Sequence, residues 1–173
     1  MGSFIRWLLV LVFVPIAVAC DGEKYSGDGE FVDYGRSEAS WRYVLTLGEV
    51  YLDRYSSYSF TLSGLPGGDY VLGLVIQESG LWAKDNRLGA VVKYQITDSN
   101  DFVVSQSQVP FYEWVWSIPS DRQAAFVYVR GPESQFTALA NATYRLSVEV
   151  QPVTKDKSTP LSGRLELRSQ GWK

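Results

Sequence analysis

The residues able to do chemistry in this chain are few, and their distribution argues for binding rather than catalysis. Among 173 residues there is no histidine and one cysteine, Cys20. Without histidine the chain lacks the commonest general base, the usual serine triad and most transition-metal ligands. With its one cysteine at the end of an apolar leader, thiol catalysis and thiolate zinc sites are excluded too. Neither Ser-x-x-Lys nor Gly-x-Ser-x-Gly occurs, and no glycine-rich phosphate loop precedes a helical stretch. Nineteen acidic residues would bring some pair of carboxyls to the ~5 to 10 Å spacing of glycosidases in any fold, so such a pair carries no weight. No catalytic residue, metal or cofactor is expected.

Recognition chemistry is better represented. In Phe111-Tyr112-Glu113-Trp114-Val115-Trp116, strand alternation places Tyr112, Trp114 and Trp116 on one face and Phe111, Glu113 and Val115 on the other. Tryptophan and tyrosine offer rigid contact area and are enriched in binding hot spots, so this face is a candidate recognition surface. The alternative is that it packs the core, which Glu113 on the opposite face favours. Trp82 stands in a polar stretch beside Lys84, Asp85 and Arg87. It is either the anchor of a long loop or a binding group carried on one. A weaker cluster joins Tyr51, Tyr55 and Tyr58 to Asp53 and Arg54.

The elements that must position these groups are strands. From Trp41 onward the apolar residues recur every second position, with turn formers at intervals of about eight to twelve. Trp41, Tyr43, Leu45 and Leu47 form one half-buried face, and Tyr58, Phe60 and Leu62 another. Leu65-Pro66-Gly67-Gly68-Asp69 predicts a turn leading into Tyr70 to Ile76, apolar on both faces and therefore a central strand. Residues 77–88 read as a polar loop, 90–97 as a strand and 98–101 as a turn. Further strands are expected over 102–109, 111–118, 125–130, 143–151 and 164–168, with Tyr144, Leu146, Val148 and Val150 giving the clearest alternation. Eight or nine short antiparallel strands without a helix predict an all-β protein, a β-sandwich, with a closed barrel as second choice.

The first twenty residues have a different purpose. Arg6, the apolar run from Trp7 to Val14 and the small residues before Cys20 form a secretory signal peptide, too short to span a ~30 Å hydrocarbon layer comfortably. Ala17-Val18-Ala19-Cys20 resembles the lipobox of bacterial lipoprotein precursors. The resemblance implies cleavage between Ala19 and Cys20 and acylation of Cys20, and an ordinary signal-peptidase site would cut at the same bond. Leucine is usual where Ala17 stands. Asp21 looks like the inner-membrane retention signal of enteric-type lipoproteins. The tracts 55–62, 143–150 and 161–167 also loosely resemble small all-β bacterial lipoproteins of uncharacterised role.

Cleavage before Cys20 leaves 154 residues and removes Arg6, moving the formal charge from −3 to −4. One domain is expected, large enough to hold a core without crosslinks. After Cys20, DGEKYSGDGE has no aliphatic residue and reads as a flexible tether, its carboxylates lacking calcium-loop spacing. The expected organisation is residues 1–19 as signal peptide, 20–38 as lipidated cysteine and tether, and 39–173 as the sandwich. Scattered basic residues and an acidic balance give no nucleic-acid footprint.

The function expected is therefore a lipid-anchored, non-catalytic binding protein of the periplasmic side of the envelope. Its partners would be the membrane, through the N-terminal lipid, and another protein. Its most concrete form is an immunity-type protein that occludes a toxin acting in the periplasm, by analogy of class. A cell-envelope assembly or secretion-system lipoprotein would share the same plan. A glycan-binding module would need Trp82, Trp114 or Trp116 coplanar and exposed.

Overall fold

In a computed structural model, the structure describes residues 24–35, 41–76, 90–110, 115–117, 125–128, 135–152 and 162–169. These contain eleven strands: β1 (Glu30–Asp33), β2 (Tyr43–Tyr51), β3 (Ser56–Ser63), β4 (Gly68–Ile76), β5 (Ala90–Asp98), β6 (Val103–Pro110), β7 (Val115–Ser117), β8 (Ala125–Tyr128), β9 (Gln135–Ala138), β10 (Thr143–Pro152) and β11 (Ser162–Ser169). All pairings are antiparallel. One sheet runs β1-β2-β11-β4-β8-β7, with β9 sharing the edge of β4 with β8, and the other runs β3-β10-β5-β6. The fold is an all-β sandwich of two separate sheets, not a closed barrel.

Alternation becomes burial where the sequence is most regular. On β10, Tyr144, Leu146, Val148 and Val150 enter the core while Arg145 and Glu149 face solvent. They meet Leu62 of β3 and Val92, Tyr94 and Ile96 of β5 on the same sheet, and Leu45, Leu72, Leu74, Ile76, Leu165 and Leu167 from the facing one. Each such side chain removed from water stabilises the fold by about 1.5–3 kcal/mol. β4 is buried from Tyr70 to Ile76, as its two-sided apolar sequence predicts for a central strand.

Two strands exceed the expected set, and one phase changes. β9 has only Phe136 and Ala138 to mark its inner face, too short a signal to separate from a loop. β1 lies inside the stretch read as tether. On β2 the buried positions run Leu45 and Leu47, then Val50, with Leu52 just past the strand's end, because the ladder to β11 slips by one residue near Gly48, whose φ is +135°. That bulge turns the following residues to the opposite face.

The outer face of the larger sheet holds a second cluster. Val71, Val75 and Phe126 are buried there, with Trp41 and Tyr128 packed against them. Trp41 was expected on the face of Tyr43 and Leu45. It precedes the first paired residue of β2 and instead meets Phe126 edge-on at 5.7 Å. Glu166 on β11 is buried on this outer face, opposite Gly73 of β4. Arg164 Nε and Arg168 Nε donate to its two oxygens at 2.9 and 2.8 Å, and the Arg168 guanidinium lies 4.0 Å from the Phe126 ring centre. The carboxylate is tolerated because both oxygens accept charge-assisted hydrogen bonds.

Candidate functional site

Among the described residues, an open groove is built by residues 24–33 and their neighbours. Residues 24–33 form a strap that visits both sheets. Ser26 N donates to Ser63 O at 3.0 Å and Asp28 N to Thr61 O at 2.7 Å, while Asp28 Oδ2 accepts from Thr61 N at 2.6 Å, so the free edge of β3 is covered. The chain then crosses to the other sheet, where Phe31 pairs with Leu45 and Asp33 with Tyr43. Glycines make the crossing. A Cβ at Gly27 would stand 2.4 Å from Thr61 O, and one at Gly29, whose φ is +92°, would stand 2.3 Å from Thr46 O.

Between the two arms lies an open groove of about 590 Å³ whose wall includes Lys24, Tyr25, Phe31, Asp33, Tyr43 and Pro66. Three rings form a ladder along it: Tyr25 stacks on Phe31 at 5.4 Å, and Phe31 on Tyr43 at 5.6 Å. The Tyr25 hydroxyl donates to the carbonyl of Asp28, closing the first arm on itself. Burial, with the Asp28 carboxylate in second place, pushes the Tyr25 phenol well above its ordinary range. Beside two of the lining residues, the Arg42 guanidinium lies 4.6 Å from the Tyr43 ring centre, and its Nε stands 3.7 Å from Asp33 Oδ1. That Nε is buried and makes no hydrogen bond. The groove thus offers aromatic faces bordered by the lysine Lys24 and the carboxylate of Asp33. Such a surface suits a ligand with a flat or apolar body and polar edges.

This site was not legible in composition, which made 20–38 a tether. Residues 24–35 belong to the fold. The glycines that lowered the apolar content are what let the strap pass close to two strands, and Tyr25, Phe31 and Val32 were the only signal of burial.

Of the residues singled out in the sequence, Ala19, Cys20, Trp82, Lys84, Asp85, Arg87, Tyr112 and Trp114 lie outside the described residues. Trp116 is described through its backbone, which pairs with Val127 of β8. The Tyr51 cluster is formed at the β2–β3 connection: Arg54 lies 3.8 Å from the Tyr51 ring centre, and Tyr58 Oη accepts from Tyr51 N at 3.1 Å. Tyr55 projects from it, largely exposed. Among the described residues no group of three or more acidic, histidine or cysteine side chains is placed to hold a metal ion, and no helix is long and apolar enough to cross a membrane. Comparison with protein-family models, characterised proteins and solved structures found no match to the chain.

Proposed function

We propose that the chain is a lipid-anchored, non-catalytic binding protein facing the periplasm, and that the groove under the N-terminal strap is where it takes hold of its partner. The aromatic ladder Tyr25–Phe31–Tyr43 is the observation that supports binding, since it presents stacked rings along an open groove of about 590 Å³. The absence of histidine and the use of the one cysteine at the leader's end support a role without catalysis. Anchoring rests on Ala17-Val18-Ala19-Cys20 and its likeness to a lipobox. In its most concrete form the protein is an immunity-type factor that neutralises a periplasm-acting toxin by occlusion.

The test is a pull-down of the lipidated, tagged protein from its own envelope fraction, run beside Tyr25→Ala and Phe31→Ala variants. One secreted hydrolase or pore-forming toxin at near-equal stoichiometry, lost in both variants, is the expected result. Resident envelope machinery in its place would move the protein to an assembly role. No stoichiometric protein at all would overturn the reading of a protein partner.

A further inference from the structure

Most of the exposed large apolar side chains among the described residues gather toward one end of the sandwich. Gly68 stands opposite Ala138, Thr143 opposite Ser63, Asp98 opposite Tyr144 and Val103 opposite Thr97. The β3–β4, β5–β6 and β9–β10 connections therefore share an end. At that end Leu139 is 70% exposed, Phe102 69% and Val103 48%, and Tyr34 follows the last residue of β1 there. The opposite end, where Tyr51 pairs with Ser162 and Ala90 with Pro152, carries exposed Tyr51 and Tyr55.

The chain from Cys20 arrives at the first of these ends. A Cβ at Gly64 would stand 3.0 Å from Lys24 O, and Gly64 N donates to Ala142 O at 3.4 Å, so the entry of the strap and the turn carrying Leu139 are joined through Gly64. Ala142 N and Leu139 O close that turn at 3.2 Å, with Asn141 at φ +64° and Leu139 N donating to Tyr144 Oη at 2.8 Å. The turn is thus held rigidly with Leu139 outward. Lys24 follows Cys20 by four residues, which even fully extended reach only ~14 Å.

We infer that this end of the sandwich rests on the bilayer, with Leu139 and Phe102 entering the headgroup region; the inference depends on the proposed acylation of Cys20. A short link from the anchor and a cluster of exposed apolar tips at the point of entry select a lipid surface as the occupant. The charges there do not select an anionic one. Asp98 and Asp101 accompany Arg145, whose Nη1 lies 3.6 Å from Asp101 Oδ1. Contact is apolar and set by the anchor, and the groove under the strap then opens beside the membrane.

The sole cysteine being acylated, one introduced thiol can carry a fluorophore without competition. Leu139→Cys, Phe102→Cys and Tyr55→Cys, each labelled in the acylated protein on phosphatidylcholine vesicles with lipids brominated near the headgroup, read the orientation directly. All three positions are exposed, so folding is spared. The expected result is a blue shift and loss of emission at 139 and 102, with neither at 55. Equal quenching at all three, quenching at 55 alone, or none at any would overturn the orientation while leaving the anchor in place. Mass spectrometry of the mature N-terminus separates the two ideas, since an unmodified Cys20 removes the anchor and the orientation with it.

Discussion

Gly29→Ala should detach the strap without unfolding the sandwich. The new Cβ would stand 2.3 Å from Thr46 O, 3.1 Å from Thr46 C and 3.2 Å from Leu47 Cα, at a backbone φ of +92°. Thr46 has little room to retreat, being paired to Glu30 on one side and Glu166 on the other. Holding a non-glycine residue in a sparsely populated region costs on the order of 1–3 kcal/mol, and overpacking about 1–3 kcal/mol more. Against this the strap is held by the Ser26, Asp28, Tyr34 and Thr61 hydrogen bonds and the short β1 ladder. Such bonds are worth about 1 kcal/mol net apiece, and ordering each strap residue costs about as much. The penalty therefore exceeds the margin that holds the strap, and local opening is the cheaper response. Hydrogen exchange read by mass spectrometry would show residues 24–34 losing protection while β10 keeps its own. Wild-type protection of the strap, or equal loss across both sheets, would refute the idea that the strap is a separable unit.

Two further outcomes follow from the packing. Glu166→Gln removes the acceptor charge between Arg164 and Arg168 and turns an amide N–H₂ toward one of two donors. Breaking a buried pair costs about 3–5 kcal/mol, and the partial exposure of Arg164 screens its share and places the loss near 3 kcal/mol. At ~2–4 °C per kcal/mol for a domain of this size, the melting temperature should fall by roughly 6–12 °C in a circular-dichroism scan, and a shift under 2 °C would mean that the carboxylate is hydrated. Tyr70 is wholly buried and donates to Pro66 O at 3.0 Å; burial first, then the Tyr43 phenol and the Asp33 carboxylate, raise its phenol above the ordinary 10 against the opposing Arg42. Above about pH 10 the unfolded chain gives up that proton and the folded chain keeps it, so stability falls with rising pH by up to ~1.4 kcal/mol per unit. Urea titrations at pH 9 and pH 11 should show a smaller alkaline loss in Tyr70→Phe than in the parent, and equal losses would contradict the assignment.

How much could be read in advance varied with the length of each pattern. Tyr144 to Val150 and Tyr58 to Leu62 declared their inner faces, because period-two alternation over several residues has only one half-buried solution. Tyr70 to Ile76 declared itself central by being apolar on both faces. Trp41 was misplaced because alternation extrapolates past the end of a strand, whereas burial of its ring was decided by Phe126, eighty-five positions away. In the sequence Glu166 is marked only as an acidic residue within the expected strand 164–168. Only the insertion of β11 between β2 and β4, with Arg164 and Arg168 on either side, made it a buried carboxylate.

By itself the sequence determined the material of this protein: strands that must hide one face, no histidine, and a single cysteine at position 20. Those conclusions depend on composition and local periodicity, which need no knowledge of what lies across the sheet. The tertiary structure decided where the strands go and what the glycine-bearing segment 24–35 does. A strand does not encode its neighbour, since every backbone offers the same donors and acceptors, so the order β3-β10-β5-β6 came from the fit of whole faces. The strap carries the same lesson. Its glycines remove the side chains that composition counts as a reason to fold, and that removal is what allows its backbone to approach Thr61 and Thr46, bridge the two sheets and form the groove.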